Sequence, residues 1–229
     1  MYSTYLYIVL VLPAFIISLI AQARVKSVYS KYSKIASRSG YTAVTAVQAL
    51  LSSYGIYNVG ICRIAGNLTD NYNPKKNMIS LSEGVYYSNS IASIGIACHE
   101  AGHASQHAES YLPIKLRNML IPVCNIGSYV GLPLAIVGYF LGFGSLVYVG
   151  LGLYSVICVF QLATLPVEFN ASRRAIKVIE ERGLLQGDEL EGAKKVLRAA
   201  AMTYVASLWV SIANLLRLVL VFTGGKRRR

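Results

Sequence analysis

The chain has 229 residues, 55% of them apolar and only 14% charged, against roughly 25% charged in an ordinary soluble domain. That balance argues against a soluble globular protein and points to a bilayer protein. The net charge of +12 does not imply nucleic-acid binding, because the basic residues flank apolar spans as orientation signals do. Cys62, Cys98, Cys124 and Cys158 show no CxxC pairing, which predicts free, buried thiols and neither a disulfide framework nor a thiolate metal site.

In chain order, the first element is a charge-free apolar run from Tyr5 to Ala21 with Pro13 inside it, long enough with its flanks to cross a bilayer. It lacks a basic n-region, and Arg24, Lys26, Lys31 and Lys34 follow at once. The distribution predicts an uncleaved anchor with its N-terminus outside, in spite of the cleavage-site-like Ala21-Gln22-Ala23. Lys31 to Tyr54 has helical spacing, with Ala43, Val47, Leu50 and Leu51 on one face. Tyr57 to Ile64 reads as a short strand, Asn67 to Asn77 as turns around Asp70, Asn71, Asn73 and Pro74. Met78 to Ser82 alternates as a half-buried strand does. Ser88 to Gln106 reads as a helix with an apolar N-terminal half, and Leu112-Pro113 ends the helical region. No charged residue occurs from Met119 to Val167. As one helix that stretch would run roughly 70 Å, more than twice the hydrocarbon thickness. It is therefore two spans with a turn at Gly142-Phe143-Gly144-Ser145. Glu168 to Arg198 reads as helix, turn at Gly183, helix, with Asp188 as N-cap. A last apolar run from about Ala200 to Phe222 carries Asn214 and Arg217.

These elements predict a single membrane-embedded domain over 1–229 with four spans, near 4–22, 119–141, 145–166 and 200–222. Ten Lys and Arg lie from Arg24 to Arg117 and seven from Arg173 to Arg198, while the turn between spans two and three has none. The positive-inside rule places 23–118 and 167–199 in the cytoplasm. Parity puts the tail Lys226-Arg227-Arg228-Arg229 outside, against that rule.

The chemistry is concentrated in Cys98-His99-Glu100-Ala101-Gly102-His103, an HExxH motif in a chain with only three histidines. On a helix that spacing puts His99 and His103 on one face, where they can share a metal, and Glu100 within reach of a metal-bound water. Catalytic zinc takes three protein ligands and keeps a position for water. His107 is a poor third, since His99 to His107 covers roughly 12 Å of helix axis against bonds near 2 Å. It reads as a polar contact or surface histidine. Glu109 is too close in sequence to fold back. Glu180, Glu181, Asp188, Glu189 and Glu191 read as a solvated helix surface. Glu168 is the only acid between residues 110 and 179. A two-span hairpin returns the chain to the face it left and brings Glu168 back to the HExxH helix. The expected ligand set is thus His99, His103 and Glu168 around one Zn²⁺ per chain, with Glu100 catalytic. Asn170 and Ser172, within a turn of Glu168, are candidates to hydrogen-bond a ligand histidine. Arg173 and Arg174 read first as basic anchors at the membrane interface and second as candidates to hold a substrate carbonyl or carboxylate, and Tyr86, Tyr87 and Tyr111 are candidates to stabilise an oxyanion.

Gly66 to Pro74, Ile79 to Ser82, Ser90 to Gln106, Thr164 to Ala175 and the last helices together resemble the neutral zinc metallopeptidases of bacterial membranes (YugP-like) over nearly the whole chain. The block Thr164-Leu165-Pro166-Val167-Glu168-Phe169-Asn170-Ala171-Ser172 also looks like the glutamate-ligand helix of HtpX-type and CAAX prenyl membrane proteases. Those relatives usually carry Asp four residues after the Glu, where Ser172 stands. The closer family carries an acidic residue where Asn170 stands. Both departures alter the partners of the ligand histidines and leave the ligands intact.

The resemblance implies a mainly α polytopic membrane protein with a small α+β, gluzincin-like metallopeptidase region. The function expected is zinc-dependent endoproteolysis of membrane-associated or unfolded polypeptides, in the cell membrane, with the active site on the cytoplasmic face. Peptide substrates and the bilayer are the expected partners, and nucleic acid is not. The rivals are an inactive membrane scaffold or zinc-binding partner protein, against which Glu100 argues, and a transporter, for which the spans carry too few polar groups.

Overall fold

Residues 2–224 are described by the computed structural model; the basic tail lies outside them. The protein is mainly helical. Helix α1 (Tyr2–Leu6) passes through a π-turn (Tyr7–Val11) into α2 (Leu12–Tyr32), and α3 is Ala43–Ser53. Three strands, β1 (Gly60–Ile64), β2 (Asn71–Asn73) and β3 (Met78–Ser82), precede the single turn of α4 (Glu83–Tyr86) and then α5 (Ile91–Ala108). Helix α6 (Leu112–Ile126) runs through a second π-turn (Gly127–Gly131) into α7 (Leu132–Phe140), followed by the long α8 (Gly144–Glu181) and α9 (Asp188–Gly224). Among the described residues, four helical stretches are long and apolar enough to cross a membrane: Thr4–Tyr32, Leu112–Phe140, Gly144–Glu181 and Asp188–Phe222.

The contacts divide the chain into two compact units. One takes in Met1–Gln22, Lys115–Leu165 and Thr203–Arg229. Its sequence holds no Asp or Glu. A small cluster of Ala135, Val147, Leu151 and Leu218 forms its centre. Here the hairpin partners meet through glycine: a Cβ on Gly150 would stand 2.6 Å from the Gly131 carbonyl oxygen, the close backbone approach that small residues permit between membrane helices. Gly142, at φ +75°, closes the turn where the sequence predicts it.

The other unit, Ala23–Ile114 with Pro166–Met202, holds the larger core, which joins Val47 and Leu50 of α3, Ile79 and Leu81 of β3, Ile94 and Ala101 of α5 and Ile179 of α8. Its sheet has the order β1-β3-β2, with β1 parallel and β2 antiparallel to β3. Asn73 accepts hydrogen bonds from the backbone of Lys75 and Lys76, and this turn folds β2 back onto β3. The sequence, read as turns here, conceals β2 because the same Asn and Asp residues serve both.

Several boundaries differ from those the sequence suggests. Residues 33–42 are not helical. Their backbone pairs with the segment leading into α5, through Ser37 N–H to Asn89 O and Ile91 N–H to Ile35 O. A reciprocal Thr42–Thr45 capping box then starts α3. Leu112-Pro113 opens α6, since proline is tolerated in a first helical turn. The segments predicted as separate helices and spans after residues 144 and 188 are single helices, because nothing between 188 and 222 stops a helix and Pro166 does not break α8. Asp188 is helical and pairs with exposed Arg38, whose Nε and backbone N–H also bind the buried Glu189 carboxylate at 3.0 and 2.9 Å.

Helices α5 and α8 touch at Gly102, where an added Cβ would lie 2.6 Å from the Ala171 carbonyl oxygen. Backbone cannot swing aside as a flexible side chain can. Gly102→Val is expected to lower stability by roughly 1–3 kcal/mol, measured as a lower denaturation midpoint in detergent; an unchanged midpoint would contradict this seam.

Candidate metal centre

Helix α5 starts at an N-cap, Ser90, whose side chain accepts from the Ser93 N–H. Ile91, Ile94, Ala97, Cys98, Ala101 and Ala104 bury one side, leaving His99, Glu100 and His103 half-buried beside it. From α8, Val167, Glu168, Ala171 and Ala175 are buried, so the carboxylate of Glu168 is turned toward α5. Glu168 Oε2 lies 3.3 Å from His99 Nε2 and 3.6 Å from His103 Nε2. The three donor atoms lie within 4.8 Å of one another.

This donor set fits a divalent metal. Two ligands bonded to zinc at about 2.0–2.1 Å in tetrahedral array stand about 3.3–3.4 Å apart, close to the separations observed. Both histidines present Nε2 to the shared carboxylate because each Nδ1 is held from behind. Ser172 Oγ is 3.1 Å from His99 Nδ1, and Gln106 Oε1 is 3.1 Å from His103 Nδ1. Burial works against charge on His103. The hydrogen bond to Glu168, the charges of Glu100 and Glu168 and the Gln106 contact outweigh it and raise its pKa above the ordinary histidine value. A proton therefore competes for the metal's place.

Cys98, next to His99, is fully buried, and desolvation pushes its pKa up to about 12. It stays a neutral thiol, not a ligand. All four cysteines are free, though only Cys98 is fully buried and the other three are half-buried.

The other candidates are distributed as follows. Asn170 does not touch a histidine; its Oδ1 accepts from Gln106 Nε2 at 2.9 Å and from Arg174 Nε at 2.8 Å. Arg173 is exposed on α8. The guanidinium of Arg174 lies between the rings of Tyr54 and Tyr111, 5.6 and 5.7 Å from their centroids, and pairs with Glu109 at 2.7 Å. Tyr111 is thus engaged with Arg174, while Tyr86 and Tyr87 stack edge to face on each other. His107 lies against Tyr72 of β2, ring centroids 5.5 Å apart. Gln106, Ser105 and Tyr54, which contact His103 or Arg174, are the residues that sequence reasoning missed. The i, i+3 spacing of His103 and Gln106 was the available signal.

The model of the family described as "Putative neutral zinc metallopeptidase" matches residues 7–223, and the chain belongs to that family. The chain is 44% identical over 221 residues to the "Putative membrane protease YugP" of Bacillus subtilis (strain 168), covering 96% of this chain and 98% of that protein. No solved structure matches it.

Purified protein is expected to carry about one zinc per chain by elemental analysis. Glu168→Gln, which keeps the shape and removes the charge, should lose most of it. Zinc retained undiminished in that variant would remove Glu168 from the ligand set.

Proposed function

We propose that the protein is a zinc-dependent membrane endopeptidase, with His99, His103 and Glu168 as ligands of one Zn²⁺ and Glu100 as general base and acid. The observation that carries this reading is the single carboxylate oxygen facing both Nε2 atoms at 3.3 and 3.6 Å. Family membership supports it independently. Zinc held there supplies Lewis-acid polarisation of a carbonyl and lowers the pKa of a water toward neutrality. Glu100, between the two ligand histidines in sequence, takes a proton from the attacking water and passes it to the leaving amine. Ser172 and Gln106 hold the two rings in place while this happens.

Strand β3 is the central strand and pairs on both sides, so it has no free edge for an extended peptide. The outer edge of β2, whose Tyr72 packs on His107 of α5, is the better surface for main-chain hydrogen bonds to substrate. Glu168 directly follows the charge-free stretch that ends at Val167, and seventeen basic residues lie in the two connecting segments. Both facts support a site at the cytoplasmic membrane surface that acts on membrane-associated or unfolded polypeptides.

Glu100→Gln should keep its zinc and cut the hydrolysis of an unfolded polypeptide by at least about 100-fold. A variant that hydrolyses at the wild-type rate would refute the role. Wild-type protein that binds zinc yet cleaves no unfolded or membrane-derived polypeptide would favour a zinc-binding scaffold.

A further inference from the structure

Gln106 is fully buried, and its amide can be oriented only one way. Its Nε2 donates to the Val167 carbonyl oxygen at 2.8 Å and to Asn170 Oδ1 at 2.9 Å. The first partner is an acceptor by nature. The second is made an acceptor by Arg174, because the guanidinium only donates and its Nε sits 2.8 Å from the same oxygen. A flipped Asn170 would set its NH₂ against two donors. With Nε2 committed twice, Gln106 can show His103 only Oε1, and His103 Nδ1 must then be the donor across the 3.1 Å contact. A neutral His103 so protonated keeps its lone pair on Nε2, the atom that faces Glu168.

Arg174 is itself fixed. Nη1 reaches Glu109 at 2.7 Å and Ser105 Oγ at 3.3 Å, and Tyr54 and Tyr111 flank the guanidinium. Its side chain is only 15% exposed, which removes it from the groups able to reach for substrate. The other histidine differs. His99 Nδ1 meets the Ser172 hydroxyl, which can donate or accept and so imposes no tautomer.

We infer that Gln106 is a positioning residue that fixes the metal-binding tautomer of His103, and that Asn170 and Arg174 act through it as a relay. This rests on the zinc-site reading above. It makes the two ligand histidines unequal: His103 is presented ready to bind, whereas His99 takes its tautomer from the metal. It also orders the variants. Gln106→Leu removes the acceptor outright. Asn170→Leu leaves the Val167 carbonyl still holding Gln106. Asn170→Asp keeps an acceptor for both donors.

The test is the zinc dissociation constant by chelator competition at fixed pH, together with the imidazole N–H proton resonances of the zinc-loaded protein. Gln106→Leu should weaken zinc by about 10–100-fold and lose the exchange-protected His103 Nδ1–H resonance. The His99 resonance should not move. Asn170→Leu should lie between Gln106→Leu and wild type, and Asn170→Asp should restore wild-type behaviour. Equal zinc affinity and an unchanged His103 resonance in Gln106→Leu would overturn the inference. So would equal damage from Asn170→Asp and Asn170→Leu, which means packing and not acceptor chemistry. If Gln106→Leu fails to fold, the two Asn170 variants decide. Failure of wild type to bind zinc would instead strike the proposed function, so the two failures are separable.

Discussion

Everything at the centre depends on how closely α5 and α8 approach. Gly102 has no side chain where one would strike the Ala171 carbonyl, and Ala101, Ala104, Ala171 and Ala175 are buried. Small residues let the backbones approach, and the contacts that define the site then cross the seam. Glu168 meets His99 and His103, Ser172 meets His99, and Gln106 reaches the Val167 carbonyl. A wider gap would break several of these at once, because none of these side chains is long enough to follow.

The seam also creates an electrostatic demand. Glu168 is 4% exposed, and an isolated buried carboxylate is too costly to persist ionised. Positive charge must come from protonated histidine or from a metal bound in its place. The raised pKa of His103 is the metal-free answer. A divalent ion at the shared Nε2 face would answer the same demand with stronger ligation. Glu189, equally buried, shows the contrast: Arg38 satisfies it with two direct donors, and no metal is called for.

Much of this was legible in the sequence because it rests on periodicities and on single residues without competitors. The four long apolar helices follow from charge-free runs, and α5 from its apolar N-terminal half. Glu168 stands out because no other acid lies near it in the chain, and the hairpin of spans returns it to α5. What stayed hidden depends on tertiary partners. Strand β2 is built from residues that also spell turns, so local propensity cannot separate the two. The central position of β3 is a matter of pairing. The segment 33–42 has helical composition but gives its backbone bonds to the entrance of α5. Arg174, expected to face substrate or lipid, is held between two tyrosines from segments far apart in the chain. Gln106 carried a visible i, i+3 relation to His103, but its orientation is fixed by groups on α8.

The central claim is that two imidazoles and one carboxylate, and no thiolate, bind zinc. X-ray absorption at the zinc edge of the purified, zinc-loaded protein tests it most directly. The account predicts a first shell of nitrogen and oxygen at about 2.0–2.1 Å with outer-shell scattering from two imidazoles. A sulfur contribution near 2.3 Å, or scattering from three imidazoles, would contradict it.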